Sequence, residues 1–248
     1  MTKEKYVFLR ADGITAADPV FQKVFNAFYE AEIPVSYAVV PALADKALPS
    51  FFRSKQRREL FSVIQYGWKA CNHNSVEGAQ PYEFGPVRKA EEQASDMAQG
   101  KKAMEALFGD LYFPAFVPPF NMYDRNTQAA ADAAGFLFFA AGKPLFPTER
   151  FHYKHLTANV NLTHYDPGDP IPLNTLEIIR DTRRGIAARR VAGVFFRVAA
   201  FDGASWSPFL HYVDFLKASR ANHSCSFLTV KEIDALWPRK SDSLRWIL

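Results

Sequence analysis

Short apolar runs rich in β-branched and aromatic residues recur along the chain, with helix-spaced segments between most of them. The runs are YVFLR (6–10), PVSYAVV (34–40), LFSVIQY (60–66), FPAFVP (113–118), FLFFA (136–140), ANVNLTHY (158–165), GVFFRVA (193–199) and SFLTV (226–230). Helical spacing covers 19–31, 46–60, 87–108, 126–134, 173–190 and 207–220. Strands apolar on both faces and separated by helices predict an α/β chain with a parallel sheet and its helices outside. Roughly eight such units in 248 residues predict one (β/α) barrel domain over 1–248, with a doubly wound open sheet as the alternative.

Composition narrows the class of function. A chain that is 48% hydrophobic and 15% aromatic can bury a large core without covalent help. Its only two cysteines, Cys71 and Cys225, are not a disulfide framework and suit a reducing, cytoplasmic setting. The 30 basic and 26 acidic residues leave a net charge of +4. The basic clusters at 53–58 and 180–190 lack interleaved stacking aromatics and any groove-reading motif, so they read as solvated helix faces and no nucleic-acid partner is expected. No apolar run reaches the ~18 residues of a membrane span, and the N-terminus reads straight into a strand without a signal-like segment, so no membrane partner is expected. Walker-type and dinucleotide-type glycine loops are absent, which removes most nucleotide-dependent chemistry.

In either architecture the chemistry belongs just past the C-terminal ends of the strands. Those ends carry Asp12, the QYGWKACNHN loop (65–74), PPFN (118–121), THYD (163–166) and the stretch from Arg197 to Asp202. Asp12, followed by a glycine, either reaches into the mouth of the barrel or begins a turn. The interruption from 67 to 86 is the longest in the pattern, and loops of ~20 residues in a compact domain tend to be functional. Cys71 beside His73 carries no thiol-enzyme motif and reads as an inert thiol. The rings of Tyr66, Trp68, Phe120, Tyr123 and Trp206 would suit the C–H faces of sugars, and core packing accounts equally well for many of them.

VFLRADGI, IQYGWKACNHN with EFG at 83–85, FVPPFN, VNLTHYD and GVFFRVAAFD resemble, in order and spacing, the polysaccharide deacetylase superfamily, carbohydrate esterase family 4. The resemblance runs from Tyr6 to Val230, and its most specific elements are PPFN and the loop after the third strand. It implies a distorted (β/α) barrel of seven to eight parallel strands and removal of an N-acetyl group from a sugar. It also implies a divalent metal such as zinc, held by one aspartate and two histidines, with a second aspartate as base and a late-strand histidine as acid.

Matched position by position, the resemblance leaves the metal-binding aspartate as Asp12, puts Ala11 at the base, and puts Tyr66 and Ala70 at the two metal histidines. The acid falls at or near Arg197, whose guanidinium stays protonated. Neither alanine nor a phenol replaces an imidazole on a zinc-type ion. The expected remnant site is therefore Asp12, His73 and Arg197, with Tyr66, Trp68, Glu83, Pro119, Phe120, Asn121, His164 and Asp166 as saccharide contacts. Asp12, His73, Asn121 and His164 are expected to converge, and Arg197 is expected to pair with Asp12. The reading is a pseudoenzyme-like chain without a cofactor, whose partner is a carbohydrate or a protein of polysaccharide metabolism. Its alternative is an active hydrolase of N-acyl or O-acyl groups on a carbohydrate, using no metal or a displaced site in which Asp12 and His73 join His164 or Asp166.

Overall fold

The computed structural model describes residues 4–166, 169–172 and 174–236. Strand β1 (Tyr6–Ile14) leads to helix α1 (Pro19–Glu30), β2 (Val35–Val39), α2 (Ala47–Arg53) and β3 (Phe61–Tyr66). Next come α3 (Ala90–Phe108), β4 (Tyr112–Val117), α4 (Arg125–Ala133), β5 (Phe138–Ala141), β6 (Lys154–Thr157) and β7 (Val160–Asn161). A hairpin of β8 (Thr163–Asp166) and β9 (Asp169–Pro172) precedes α5 (Thr175–Ala188), β10 (Val191–Arg197), α6 (Trp206–Ala221), β11 (Ser226–Phe227) and α7 (Val230–Leu236).

Eight strands pair in the order β6-β5-β4-β3-β2-β1-β10-β7, all parallel, and β11 adds to the start of β1. This parallel sheet curls into a half-barrel with helices around it, the distorted (β/α) barrel expected from the sequence. Three expectations need correction, the first being the run 226–230, which gives only Ser226–Phe227 to the sheet before Val230 opens α7. The run 158–165 is not one barrel strand: it gives only two residues to the sheet, then turns into the antiparallel pair β8-β9, and the neighbouring barrel strand is β6. The helix expected over 46–60 ends at Arg53, and its last residues form a short turn that leads into β3.

Helix starts follow local chemistry. Asp18 caps α1 by accepting from the Phe21 amide, with Pro19 in the first turn, and Asp124 with Thr127 and Asn174 with Glu177 form capping boxes on α4 and α5. Alternation along the strands divides the core. Val7, Leu9 and Ala11 face outward with Phe21, Phe25, Phe28 and Phe52, while Phe8 faces inward with Ala38, Ile64, Val117 and Ala140. Each such aromatic side chain contributes about 1.5–3 kcal/mol on burial. Val230 and Ile233 of α7 join the inner cluster, and the Val230 amide donates to the Ser36 hydroxyl, itself joined to Ser62.

Period-2 alternation has one consequence for function. Arg10 and Asp12 share the inner face of β1 with Phe8, and both are shielded from solvent. The register with β2 shifts between Asp12 and Ile14, at Gly13 with φ +76°. This irregularity ends the regular ladder directly after Asp12, at the strand's C-terminal end.

Candidate functional site

At the mouth of the half-barrel the Arg10 guanidinium lies on the Asp12 carboxylate, with Nε donating to Oδ1 at 2.6 Å and Nη2 to Oδ2 at 2.8 Å. Its Nη1 donates to the Ala140 carbonyl at 2.7 Å, and Nη2 also reaches Asn121 Oδ1 at 3.0 Å. The Phe195 ring, on the inner face of β10, lies 5.2 Å from the guanidinium. Burial, the largest influence, leaves the Asp12 pKa above its ordinary range, with the guanidinium groups of Arg10 and then Arg197 acting against the rise. Both carboxylate oxygens accept from the guanidinium, the two-pronged geometry of an arginine–carboxylate pair.

Arg197 takes a different place from the one expected. It is the register partner of Asp12 across β1 and β10, and its field acts on Asp12, but the two-pronged contact belongs to Arg10. Arg197 Nη2 donates to the Tyr66 hydroxyl at 3.3 Å, and its guanidinium faces the Tyr66 and Phe120 rings. Its Nη1 passes 3.1 Å from where a Cβ on Gly13 would sit.

The loop after β3 is built on Glu83. This carboxylate is fully buried and accepts from the amides of Trp68, Lys69 and Ala70 at 2.6–3.1 Å. Burial raises its pKa, and the three amides act against that rise. Gly67 has φ +52°, and a Cβ there would run into Glu83 and Pro119, so only glycine fits. Ala70 adopts φ +55° without that freedom. Glu83, expected among the saccharide contacts, thus holds the loop from within. Pro119 is likewise buried against it.

PPFN makes a tight turn in which Phe120 and Asn121 both have positive φ, 61° and 55°. The Phe120 amide donates to the Tyr66 hydroxyl at 3.2 Å, so Tyr66 ties β3 to this turn. Trp68, Phe120 and Asn121 are half-buried, while Tyr66 and Tyr123 are buried.

The structure brings Asp12, Asn121, Tyr66, Phe120 and Arg197 together, and does not bring His73 to them. His73 Nε2 lies 3.2 Å from Cys71 Sγ, its amide donates to the Tyr82 carbonyl, and the charges acting on it are Arg88, Asp96, Glu92 and Lys69. Burial and Arg88 lower its pKa. The expected meeting of His73 with Asp12 is corrected by the loop itself, which carries His73 toward the start of α3. His164 and Asp166 belong to β8 by their backbone, and their side chains lie outside the described residues. Sequence reading missed Arg10, although its spacing of two from Asp12 in a strand puts both on one face.

A catalytic zinc-type ion needs three protein ligands. Asp12 has both oxygens on Arg10, Ala70 has no donor atom, and the Tyr66 hydroxyl already accepts from Phe120 and Arg197. Among the described residues no cluster of three histidine, cysteine or acidic side chains is placed to hold a metal. The described donor set does not fit the divalent metal that the resemblance implies.

Comparison with solved structures decides the fold. A Mycobacterium smegmatis protein assigned to the polysaccharide deacetylases matches over 100% of this chain and 95% of its own, with TM-score 0.68 and 12% identity. The chain has the polysaccharide deacetylase fold. A family 4 acetyl xylan esterase from Clostridium thermocellum, solved with a cobalt ion, matches over 94% of this chain and 91% of its own, with TM-score 0.59 and 11% identity. A pseudoenzyme of carbohydrate esterase family 4 from Bacillus anthracis matches over 94% of this chain and 66% of its own, with TM-score 0.57 and 10% identity. No family model and no curated protein sequence matches the chain. Among the described residues no helix is long and apolar enough to cross a membrane.

Proposed function

We propose that this chain is a non-catalytic protein of the deacetylase fold that binds a saccharide at the remodelled mouth of the barrel and works without a metal cofactor. The observation that carries the reading is the Arg10–Asp12 pair. A buried guanidinium with donors on both Asp12 oxygens, Ala140 and Asn121 gives this carboxylate an internal counter-cation. Chemistry that depends on metal-activated water has no support from that arrangement. The half-buried Phe120 ring, with Asn121 next to it in the turn and the Arg197 guanidinium facing it, offers a stacking and hydrogen-bonding surface for a sugar. Likeness to a pseudoenzyme in the same fold fits this reading. The unpaired state of Cys71 and Cys225 fits the cytoplasmic setting that belongs to the same proposal.

The test pairs two assays on one preparation. Acetate release from chitotetraose and acetylated xylan, with zinc or cobalt added, is expected to stay at the no-enzyme rate, while calorimetric titration with oligosaccharides gives saturable binding. Metal-dependent acetate release would overturn the non-catalytic reading and restore the hydrolase.

A further inference from the structure

We infer that Asn121 is the ligand-recognising donor of the mouth and that Arg10 is the residue that positions it. This inference rests on the saccharide-binding reading and names the ligand group: an sp2 oxygen on the sugar, either an acyl carbonyl or a carboxylate. A guanidinium only donates, so the Asn121 atom that meets Arg10 Nη2 at 3.0 Å must be the carbonyl oxygen. The amide nitrogen then points the other way. Asn121 Nδ2 donates to no acceptor among the described residues, and the residue keeps part of its surface exposed. The residue is half-buried and sits in a turn where it and Phe120 both adopt the left-handed region. Backbone strain of this kind, imposed on a phenylalanine, accompanies binding sites more often than plain connections.

The acceptors nearby are engaged. Asp12 faces Arg10, and the Tyr66 oxygen receives the Phe120 amide and Arg197. A planar N–H2 group held in the turn next to the half-buried Phe120 ring therefore calls for an acceptor from the ligand. A carbonyl or carboxylate oxygen, with its lone pairs in one plane, matches it better than a freely rotating hydroxyl.

Asn121→Asp separates this role from a structural one. Aspartate keeps an acceptor on Arg10 and tolerates positive φ, so the melting temperature should hold or rise, while the outward atom changes from donor to acceptor. Wild type, Asn121→Asp and Asn121→Gly are titrated with chitotetraose, tetragalacturonate and cellotetraose. Wild type should bind chitotetraose, if the group is an acyl carbonyl, or tetragalacturonate, if it is a carboxylate, more tightly than cellotetraose. Both variants should lose that preference, with binding weaker by about tenfold or more. Undiminished affinity and preference in folded Asn121→Asp would overturn this assignment and leave the saccharide reading standing. Equal affinity of wild type for all three sugars would also overturn it. Wild type that binds none of them would overturn both.

Discussion

The Arg10 guanidinium and the Asp12 carboxylate meet in parallel, at 2.6 and 2.8 Å, two residues apart on one strand and both shielded from solvent. Removing one partner leaves a buried charge uncompensated, so Arg10→Met should lower the unfolding free energy by about 3–5 kcal/mol. Replacing both, in Arg10→Met with Asp12→Leu, should recover most of that loss, because buried ion pairs are often no better than apolar side chains of like volume. Urea denaturation of the wild type, both single variants and the double variant measures the coupling. Additive losses would show that the pair does not act as a unit.

The loop over Glu83 gives two substitutions of opposite sign. Gly67→Ala meets a positive φ and a collision with Glu83 and Pro119, and should cost about 2 kcal/mol or more. Ala70→Gly relieves about 1–2 kcal/mol of left-handed strain and returns up to about 1 kcal/mol in chain freedom, so it should be neutral to mildly stabilising. Thermal melts that reversed this order would contradict the loop geometry.

Glu83→Ala leaves the amides of Trp68, Lys69 and Ala70 without their acceptor. A loss of about 3 kcal/mol is expected, with Glu83→Gln in between, since the amide keeps only one oxygen as acceptor. Hydrogen exchange at the Lys69 amide should quicken in Glu83→Ala well beyond the change at β1.

Acid sensitivity should be centred on His155. Its Nε2 lies 2.8 Å from the Gly142 carbonyl and must donate to it, while its Nδ1 is buried with no partner among the described residues. Burial lowers its pKa, with the Gly142 bond acting the other way. A histidine whose folded pKa is depressed contributes stability that is present above its unfolded pKa of about 6.5 and is lost as pH falls through the folded value. Stability should therefore drop below pH ~6.5, and His155→Gln should flatten that part of the profile. An unchanged profile in the variant would assign the acid loss to other groups.

Much of the architecture is legible in sequence because parallel strands buried on both faces leave unbroken apolar runs, and β1 to β5 and β10 are such runs. The hairpin β8-β9 is not legible: Pro170 and Pro172 break the apolar pattern that marks the other strands. That Tyr66 and Ala70 offer no imidazole to a metal could be read from their residue types. Arg10 could not be read as easily, because it looks like the polar end of YVFLR when the strand is taken to stop there. The strand runs on to Ile14, which turns Arg10 from an end residue into an inward one. The EFG resemblance picks out Glu83, but its partners are main-chain amides, which no side-chain pattern reveals.

Metal content of the purified protein, measured by inductively coupled plasma mass spectrometry after incubation with zinc, cobalt and nickel and then desalting, tests the central claim most directly. With Arg10 supplying the cation for Asp12, the wild type should retain far less than one equivalent of any of them, and Asp12→Ala should look the same. Close to one equivalent in the wild type, lost in Asp12→Ala, would contradict the account.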